Sequence, residues 1–170
     1  MESNNNTKKN SSKDPRPNIG IIGVGGAGGN AINNMIQAKL SGVHFLAANT
    51  DAQALATTLA PEILQLGVNL TSGLGSGANV DIGRGAAKET EEKIRAWVSE
   101  FELIFITAGM GGGTGTGAAP VIADIARSEN TLTVGVITLP FDFEGSQRMR
   151  VAKEGLLILE KLVDTLVVIP

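Results

Sequence analysis

The chain has 170 residues, which is enough for one domain with a hydrophobic core and too few for two domains of ordinary size. Its formal net charge is -3 and 18% of its residues are charged, which argues against a nucleic-acid groove or a membrane-surface patch built on bulk positive charge. It contains no cysteine, so a disulfide framework and a cysteine-based metal or redox site are excluded.

The first 17 residues, MESNNNTKKNSSKDPRP, are polar and lack the apolar core of a signal peptide. We predict a disordered, unprocessed tail at 1–17, followed by a single domain at 18–170. No uninterrupted apolar stretch approaches the roughly 18 residues needed to cross a bilayer, so the sequence predicts a soluble protein without direct membrane insertion.

From residue 19 onward, short apolar, β-branched runs alternate with longer segments of helical period, as in repeated βαβ units. The pattern predicts a Rossmann-like, doubly wound α/β fold with a mainly parallel sheet and helices on both faces. In such folds the common strand order is 3-2-1-4-5-6, and ligands bind beyond the carboxyl ends of strands 1 and 4, where the order reverses. The predicted strands are 19–24, 43–48, 63–66, 103–108, 132–139 and 165–169, and the predicted helices are 30–42, 84–98, 118–127 and 146–162.

The two richest glycine segments follow predicted strands 1 and 4; they read GVGGAGGN at 23–30 and GMGGGTGTG at 109–117. Each leads into a predicted helix, so free backbone N–H groups and the positive end of the helix dipole point at the same volume. Neither segment contains Lys or Arg, which favours phosphate binding by backbone amides. Thr114 and Thr116 offer hydroxyl groups to phosphate or to a metal held by phosphate, and Asn30 either faces phosphate or caps its helix.

Two nucleotide classes fit these segments. No G-x-x-x-x-G-K-[ST] motif occurs, which argues against a P-loop NTPase. Gly23, Gly25 and Gly28 satisfy G-x-G-x-x-G after a strand, with Asp51 near the acidic position of a dinucleotide fold, and alone they would suggest an NAD-binding oxidoreductase. A nucleotide with a polyphosphate accounts in addition for 109–117 and for a third glycine-rich stretch, TSGLGSGAN at 71–79.

Five motifs resemble those of one protein family. GGGTGTG at 111–117 resembles the signature motif of the tubulin-like GTPases. GVGGAGGNA at 23–31, ANTDAQAL at 48–55, GLGSGAN at 73–79 and PFDFEGSQRM at 140–149 resemble the bacterial cell-division members of that family in order and spacing. The resemblance covers 19–170 and implies binding of GTP or GDP with Mg²⁺, which is expected to be held mainly by nucleotide phosphates and water.

The resemblance also implies a set of nucleotide-binding residues. Glu144 would bond ribose hydroxyls with Arg148 nearby, although from the residues alone these two are a surface ion pair beside a helix start. The phosphates would lie on Gly25, Gly26, Ala27, Gly28, Gly29 and Asn30 and on Gly111, Gly112, Gly113, Thr114, Gly115, Thr116 and Gly117, with Asn49, Thr50, Asp51, Gly75, Ser76, Gly77, Ala78 and Asn79 around the terminal phosphate and its Mg²⁺.

In this family, hydrolysis is completed by an acidic loop of the next subunit in a head-to-tail filament of the cytoplasmic division ring, where other division proteins also bind. The chain ends at LVVIP, before the family's guanine-reading asparagine, central helix, acidic loop and second subdomain. The resemblance therefore implies a nucleotide-binding part with no catalytic residue of its own, which binds nucleotide and hydrolyses it poorly. A non-catalytic scaffold or filament-capping module and, further off, an NAD-binding oxidoreductase stay open as alternatives.

Overall fold

A computed structural model describes residues 15–170. Most of the tail predicted at 1–17 lies outside the described residues. Residues 15–17 precede the first strand and are exposed.

Six parallel strands form one sheet in the order β3-β2-β1-β4-β5-β6, as the sequence predicts. Each strand agrees with its predicted bounds to within one residue at either end, because apolar β-branched runs mark strands that are buried on both faces. The strands are β1 (Ile19–Val24), β2 (His44–Asn49), β3 (Glu62–Gln65), β4 (Leu103–Gly109), β5 (Leu132–Thr138) and β6 (Thr165–Ile169).

The helices differ more from the prediction than the strands do. Three short elements, α2, α3 and the 3-10 turn, were not predicted, and the segment predicted as one helix at 84–98 forms two, α4 and α5. The elements are α1 (Gly25–Gln37), α2 (Ala52–Ala56), α3 (Val68–Thr71), α4 (Val80–Glu89), α5 (Glu91–Val98), α6 (Thr114–Ser128), a 3-10 turn (Asp142–Glu144) and α7 (Ser146–Glu160).

The predicted glycine-rich loops are in large part helix. The first turn of α1 starts at Gly25, directly after β1, so the prediction of a loop over 23–30 is wrong, and so is the prediction that Asn30 caps the helix. Likewise α6 starts at Thr114, so only 110–113 of the second segment lies between strand and helix. Gly25 has a φ of 75°, which lets the chain turn from strand to helix without an intervening loop.

The core has two parts, one on each face of the sheet. Ile22 and Val24 of β1 belong to the larger cluster, which includes buried residues of α4, α5, α6 and α7. Ile21 points to the other face and packs with Ile32 of α1 and Phe45 of β2. This alternation follows from the two-residue period of a strand, and it places α1 and α6 on opposite faces of the same two central strands.

The contact between α1 and the sheet is made backbone to backbone. A Cβ atom at Gly28 would overlap the carbonyl oxygen of Thr107 in β4 and would come within 2.9 Å of the Gly23 carbonyl carbon in β1. At Gly29, the next residue, a Cβ atom would meet nothing within 4 Å. The glycine at 28 therefore sets the distance at which the first turn of α1 lies on the sheet.

Replacing these two neighbouring glycines should give opposite changes in the free energy of unfolding. Gly28→Ala should destabilise the chain by about 2 kcal/mol or more, because the first turn of α1 must move away from the backbone of β1 and β4. Gly29→Ala should be neutral or stabilising by up to about 1 kcal/mol, from helix propensity alone. Urea denaturation of the two variants measures both, and equal losses would contradict the close approach.

Candidate nucleotide-binding site

A cleft of about 560 Å³ opens at the carboxyl ends of β1, β4 and β5. Its walls are the first turns of α1 and α6, the loop before α4 and the segment from β5 into α7. It therefore lies where the strand order reverses, which is the location predicted from the strand pattern.

The two helices whose first turns form walls of the cleft, α1 and α6, have no side-chain caps. The N-cap residues Val24 of α1 and Gly113 of α6 make no side-chain cap hydrogen bond, and neither helix has an acidic residue in its first turn. By contrast, Asp51 caps α2 and Asn79 caps α4, each by accepting two backbone N–H bonds. The first-turn N–H groups of α1 and α6 are thus open to an anion in the cleft, with both helix dipoles favouring negative charge.

Gly26, in the first turn of α1, lies on the cleft wall and is exposed. A Cβ atom there would meet nothing within 4 Å, so no packing within the protein requires glycine at this position. At Gly115 in α6, a Cβ atom would instead come within 2.5 Å of the Gly109 carbonyl oxygen. The open side of the α1 turn thus leaves room for a ligand. In the α6 turn, by contrast, packing within the protein requires glycine at position 115.

Three hydroxyl groups connect three segments beneath the cleft. Thr50 Oγ1, at the end of β2, lies 2.7 Å from Thr114 Oγ1 at the start of α6. Thr114 Oγ1 donates to Ser76 Oγ at 3.2 Å in the loop before α4. All three residues are buried, and Thr114 and Ser76 also line the cleft.

Several predicted site residues have side chains that bond to the protein itself. Thr116 Oγ1 accepts the backbone N–H of Gly111 at 2.9 Å and so holds the turn before α6. Asn49 Oδ1 accepts the N–H of Asp51, whose own Oδ1 accepts the N–H groups of Gln53 and Ala54. The sequence pattern predicts polar groups at this end of the sheet, but their partners are backbone N–H groups of the adjoining loops and of α2.

Glu144 and Arg148 face the cleft together from the 3-10 turn and α7. Glu144 Oε2 accepts the Phe141 N–H at 2.7 Å, and Glu144 Oε1 lies 3.7 Å from Arg148 Nη1. Among the described residues that line the cleft, Arg148 has the only basic side chain and Glu144 the only acidic one. Their ion pair leaves hydrogen-bonding capacity on both groups.

The structure divides the predicted site residues into three sets. Beside the cleft lies a smaller pocket of about 150 Å³ on the α1 and β2 side. The cleft is lined by Gly25, Gly26, Ala27, Ser76, Ala78, Gly112, Gly113, Thr114, Gly115, Glu144 and Arg148; the smaller pocket takes in Gly29, Asn30 and Asn49; and neither is lined by Gly28, Thr50, Asp51, Gly75, Gly77, Asn79, Gly111, Thr116 or Gly117.

The sequence analysis did not predict every residue of the cleft wall. The available signal was the parallel strand order, which puts the end of β5 beside the end of β4. The missed residues are Val24, Gly109, Met110, Thr138, Leu139, Pro140, Phe141 and Pro170.

Comparison with known proteins decides the family. Residues 18–170 match the family model described as Tubulin/FtsZ family, GTPase domain. The chain belongs to this family. Both the resemblance seen in the five motifs and the doubly wound fold class are therefore confirmed.

The relatives are longer than this chain. The cell division protein FtsZ of Wolbachia sp. is 56% identical over 166 residues, covering 91% of this chain and 42% of the relative. That of Rhizobium radiobacter is 57% identical over 155 residues, covering 91% and 27%. The chain thus spans less than half the length of these relatives in the tubulin/FtsZ family.

Solved structures of the family share the fold. An empty FtsZ dimer from M. jannaschii has a TM-score of 0.88 at 48% identity, covering 91% of this chain and 45% of that one. CetZ2 from Haloferax volcanii, a protofilament with GTPγS bound, has a TM-score of 0.80 at 26% identity, covering 89% and 48%.

Residues 15–170 lack both a membrane-spanning helix and a cluster of metal-ligating side chains. No helix there is long and apolar enough to cross a bilayer. No group of three or more His, Asp or Glu side chains there is close enough to hold a metal ion.

Asn79 and Asn30, both predicted site residues, should differ in their effect on stability. Asn79→Ala removes the cap of α4 and should destabilise the chain by about 1 kcal/mol. Asn30→Ala, at an exposed position inside α1, should change stability by less than about 0.5 kcal/mol. Urea denaturation of both variants checks this, and an equal loss at position 30 would restore a structural role for that side chain.

Proposed function

We propose that this chain is the nucleotide-binding part of a GTP-hydrolysing, filament-forming protein of bacterial cell division. The observation that carries the proposal is the pair of uncapped helix N-termini, α1 and α6, that open into one cleft. Family membership and the relatives named as cell division proteins support the assignment of guanine nucleotide.

The phosphates of GTP or GDP would lie between the first turns of α1 and α6, bonded by backbone N–H groups. A hydrogen bond to a charged acceptor contributes roughly 1.5 to 3 kcal/mol, so several amides suffice without a lysine. Ser76 and Ala78 would meet the terminal phosphate from the loop before α4. Since no carboxylate cluster faces this region within 15–170, Mg²⁺ would be held mainly by phosphate oxygens and water.

The ribose would lie against Glu144 and Arg148. A carboxylate that accepts one backbone N–H still has lone pairs for the two ribose hydroxyls. The base would then extend toward Leu139, Pro140 and Phe141, whose side chains are apolar. Because these side chains make no hydrogen bond to a base edge, we expect this chain to distinguish GTP from ATP only modestly.

We propose that efficient hydrolysis requires a carboxylate from a neighbouring subunit. Glu144 is the one acidic side chain among the described residues of the cleft, and in the proposed pose it binds the ribose, so no carboxylate there is left to act as general base at the terminal phosphate. The GTPγS-bound protofilament of the CetZ2 relative supports assembly into a filament with nucleotide present, which for this protein we propose is head to tail. In the cell, such filaments would form in the cytoplasm at the division site together with other division proteins.

Competition binding tests the proposed function. The purified chain is titrated with a fluorescent GTP analogue in Mg²⁺, with GTP, ATP and NAD as competitors. GTP should compete, ATP should compete within about tenfold of GTP (roughly 1.4 kcal/mol), and NAD should not compete. Phosphate release in the same samples should stay at background. Competition by NAD and not by GTP would instead support a dinucleotide-binding protein.

Gly26→Ala tests the position of the phosphates. The added methyl group enters the open side of the α1 turn, so nucleotide affinity should fall by about tenfold or more while the free energy of unfolding is unchanged or higher. Gly85→Ala is the control, because it adds the same methyl group to α4 outside the cleft. Unchanged GTP affinity in Gly26→Ala would place the phosphates elsewhere.

A further inference from the structure

We infer that Thr50 is a positioning residue for the phosphate end of the cleft, acting through Thr114 on Ser76. This inference rests on the proposed function and deepens it. The family resemblance implied that Thr50 lies around the terminal phosphate itself, whereas its geometry assigns it a role behind the residues that line the cleft.

Burial excludes direct contact between Thr50 and a ligand in this structure. Its relative exposure is 0%, and it lines neither the cleft nor the smaller pocket. Its carbonyl oxygen accepts the Thr71 hydroxyl and the Gly75 N–H, both at 3.3 Å, which fixes the residue from the backbone side. The Thr50 hydroxyl is thereby directed at Thr114, 2.7 Å away.

Counting hydrogens gives the hydroxyl chain a direction. Thr114 Oγ1 donates its single hydrogen to Ser76 Oγ. It has none left for Thr50, so Thr50 must be the donor in the contact between the two threonines. The chain therefore runs from Thr50 to Thr114 to Ser76, and the hydrogen of Ser76 is used in neither contact.

The last hydroxyl lies beside the start of α6. Ser76 Oγ occupies the place that a Cβ atom would need at Gly113, the N-cap of α6. Ser76 and Thr114 both line the cleft, so the unused hydrogen of Ser76 lies next to the open N–H groups of α6.

This polarity matches an anionic ligand. A phosphate oxygen only accepts hydrogen bonds, and each donor in a hydroxyl chain strengthens the next. Without the bond from Thr50, the hydroxyl of Thr114 is held only by its long 3.2 Å bond to Ser76, and the donor at Ser76 is less firmly oriented. Thr50 thus sets which way the two cleft hydroxyls point.

The test compares two threonines with buried hydroxyls in the full 170-residue chain. Thr50→Val removes the first donor, and Thr50→Ser restores it. Thr133→Val is the matched control, because the Thr133 hydroxyl is also buried but bonds only to the carbonyl of Thr131, at the amino end of β5 and away from the cleft. Competition against a fluorescent GTP analogue is measured with GTP and with tripolyphosphate, which lacks base and ribose, and urea denaturation reports folding.

Thr50→Val should weaken binding of both competitors by about 3- to 10-fold, whereas Thr50→Ser and Thr133→Val should stay within about twofold of the unsubstituted chain. Ser76→Ala, at the cleft wall, should weaken binding by a similar factor, and Thr50→Val should add little to it. Should Thr50→Val fail to fold, the two other variants test the inference: Ser76→Ala should weaken binding by about 3- to 10-fold, and Thr50→Ser should stay within about twofold of the unsubstituted chain.

Equal affinities of Thr50→Val and Thr133→Val would overturn the inference, and so would a Thr50→Ser variant as weak as Thr50→Val or an unaffected Ser76→Ala. In each of these cases the unsubstituted chain still binds GTP. Failure of the unsubstituted chain to bind GTP or tripolyphosphate is a different result, which overturns the proposed function together with the inference.

Discussion

The site depends on the close approach of helix backbones at the carboxyl end of a parallel sheet. Gly28 lies against Thr107 of β4, and Gly113 lies against Ser76. A side chain at either glycine would push a helix start away from the cleft. Because α1 and α6 cover opposite faces of the central strands, these contacts are what bring two helix N-termini to one cleft and leave their first N–H groups facing the same space.

The sheet was predictable from the sequence because its signal is local. Runs such as IGIIGV and LIFITAG are apolar and β-branched, as strands buried on both faces must be, and the strand order followed from the general rule for doubly wound folds. Helix boundaries were less predictable. Because glycine is a poor helix former, the sequence predicted a loop over 25–29. The close packing of α1 on the sheet stabilises a helix there in spite of the low helix propensity. The break between α4 and α5 has a tertiary cause as well, since buried Thr90 accepts the N–H of distant Gly67.

The location of the site was predictable, but which of its polar side chains line the cleft and which bond to the protein itself was not. Strand ends and glycine segments, including the one at 71–79, indicate where backbone amides gather, and the motif resemblance added Glu144 and Arg148. Whether a polar side chain faces a ligand or the protein depends on loops that are distant in sequence. Thr114 lines the cleft while Thr116, two residues on, accepts a bond from Gly111; no pattern in GGGTGTG distinguishes the two. Asp51 and Asn79 likewise satisfy the N-termini of α2 and α4, whereas the first turns of α1 and α6, which line the cleft, have no side-chain cap.

The loop at 73–79 is bound to the rest of the site at more than one point, which limits how it can respond to a ligand. Leu74 pairs with Asp51 in an isolated antiparallel bridge, and Ser76 bonds to Thr114. A contact that moves Ser76 must therefore act on the start of α6 and on the end of β2 at once. The loop and these two elements form one hydrogen-bonded unit. Helix α4 begins where the loop ends and packs against the start of α6 through Gly83. A phosphate bound at Ser76 would therefore also affect the position of α4, through short, directional contacts.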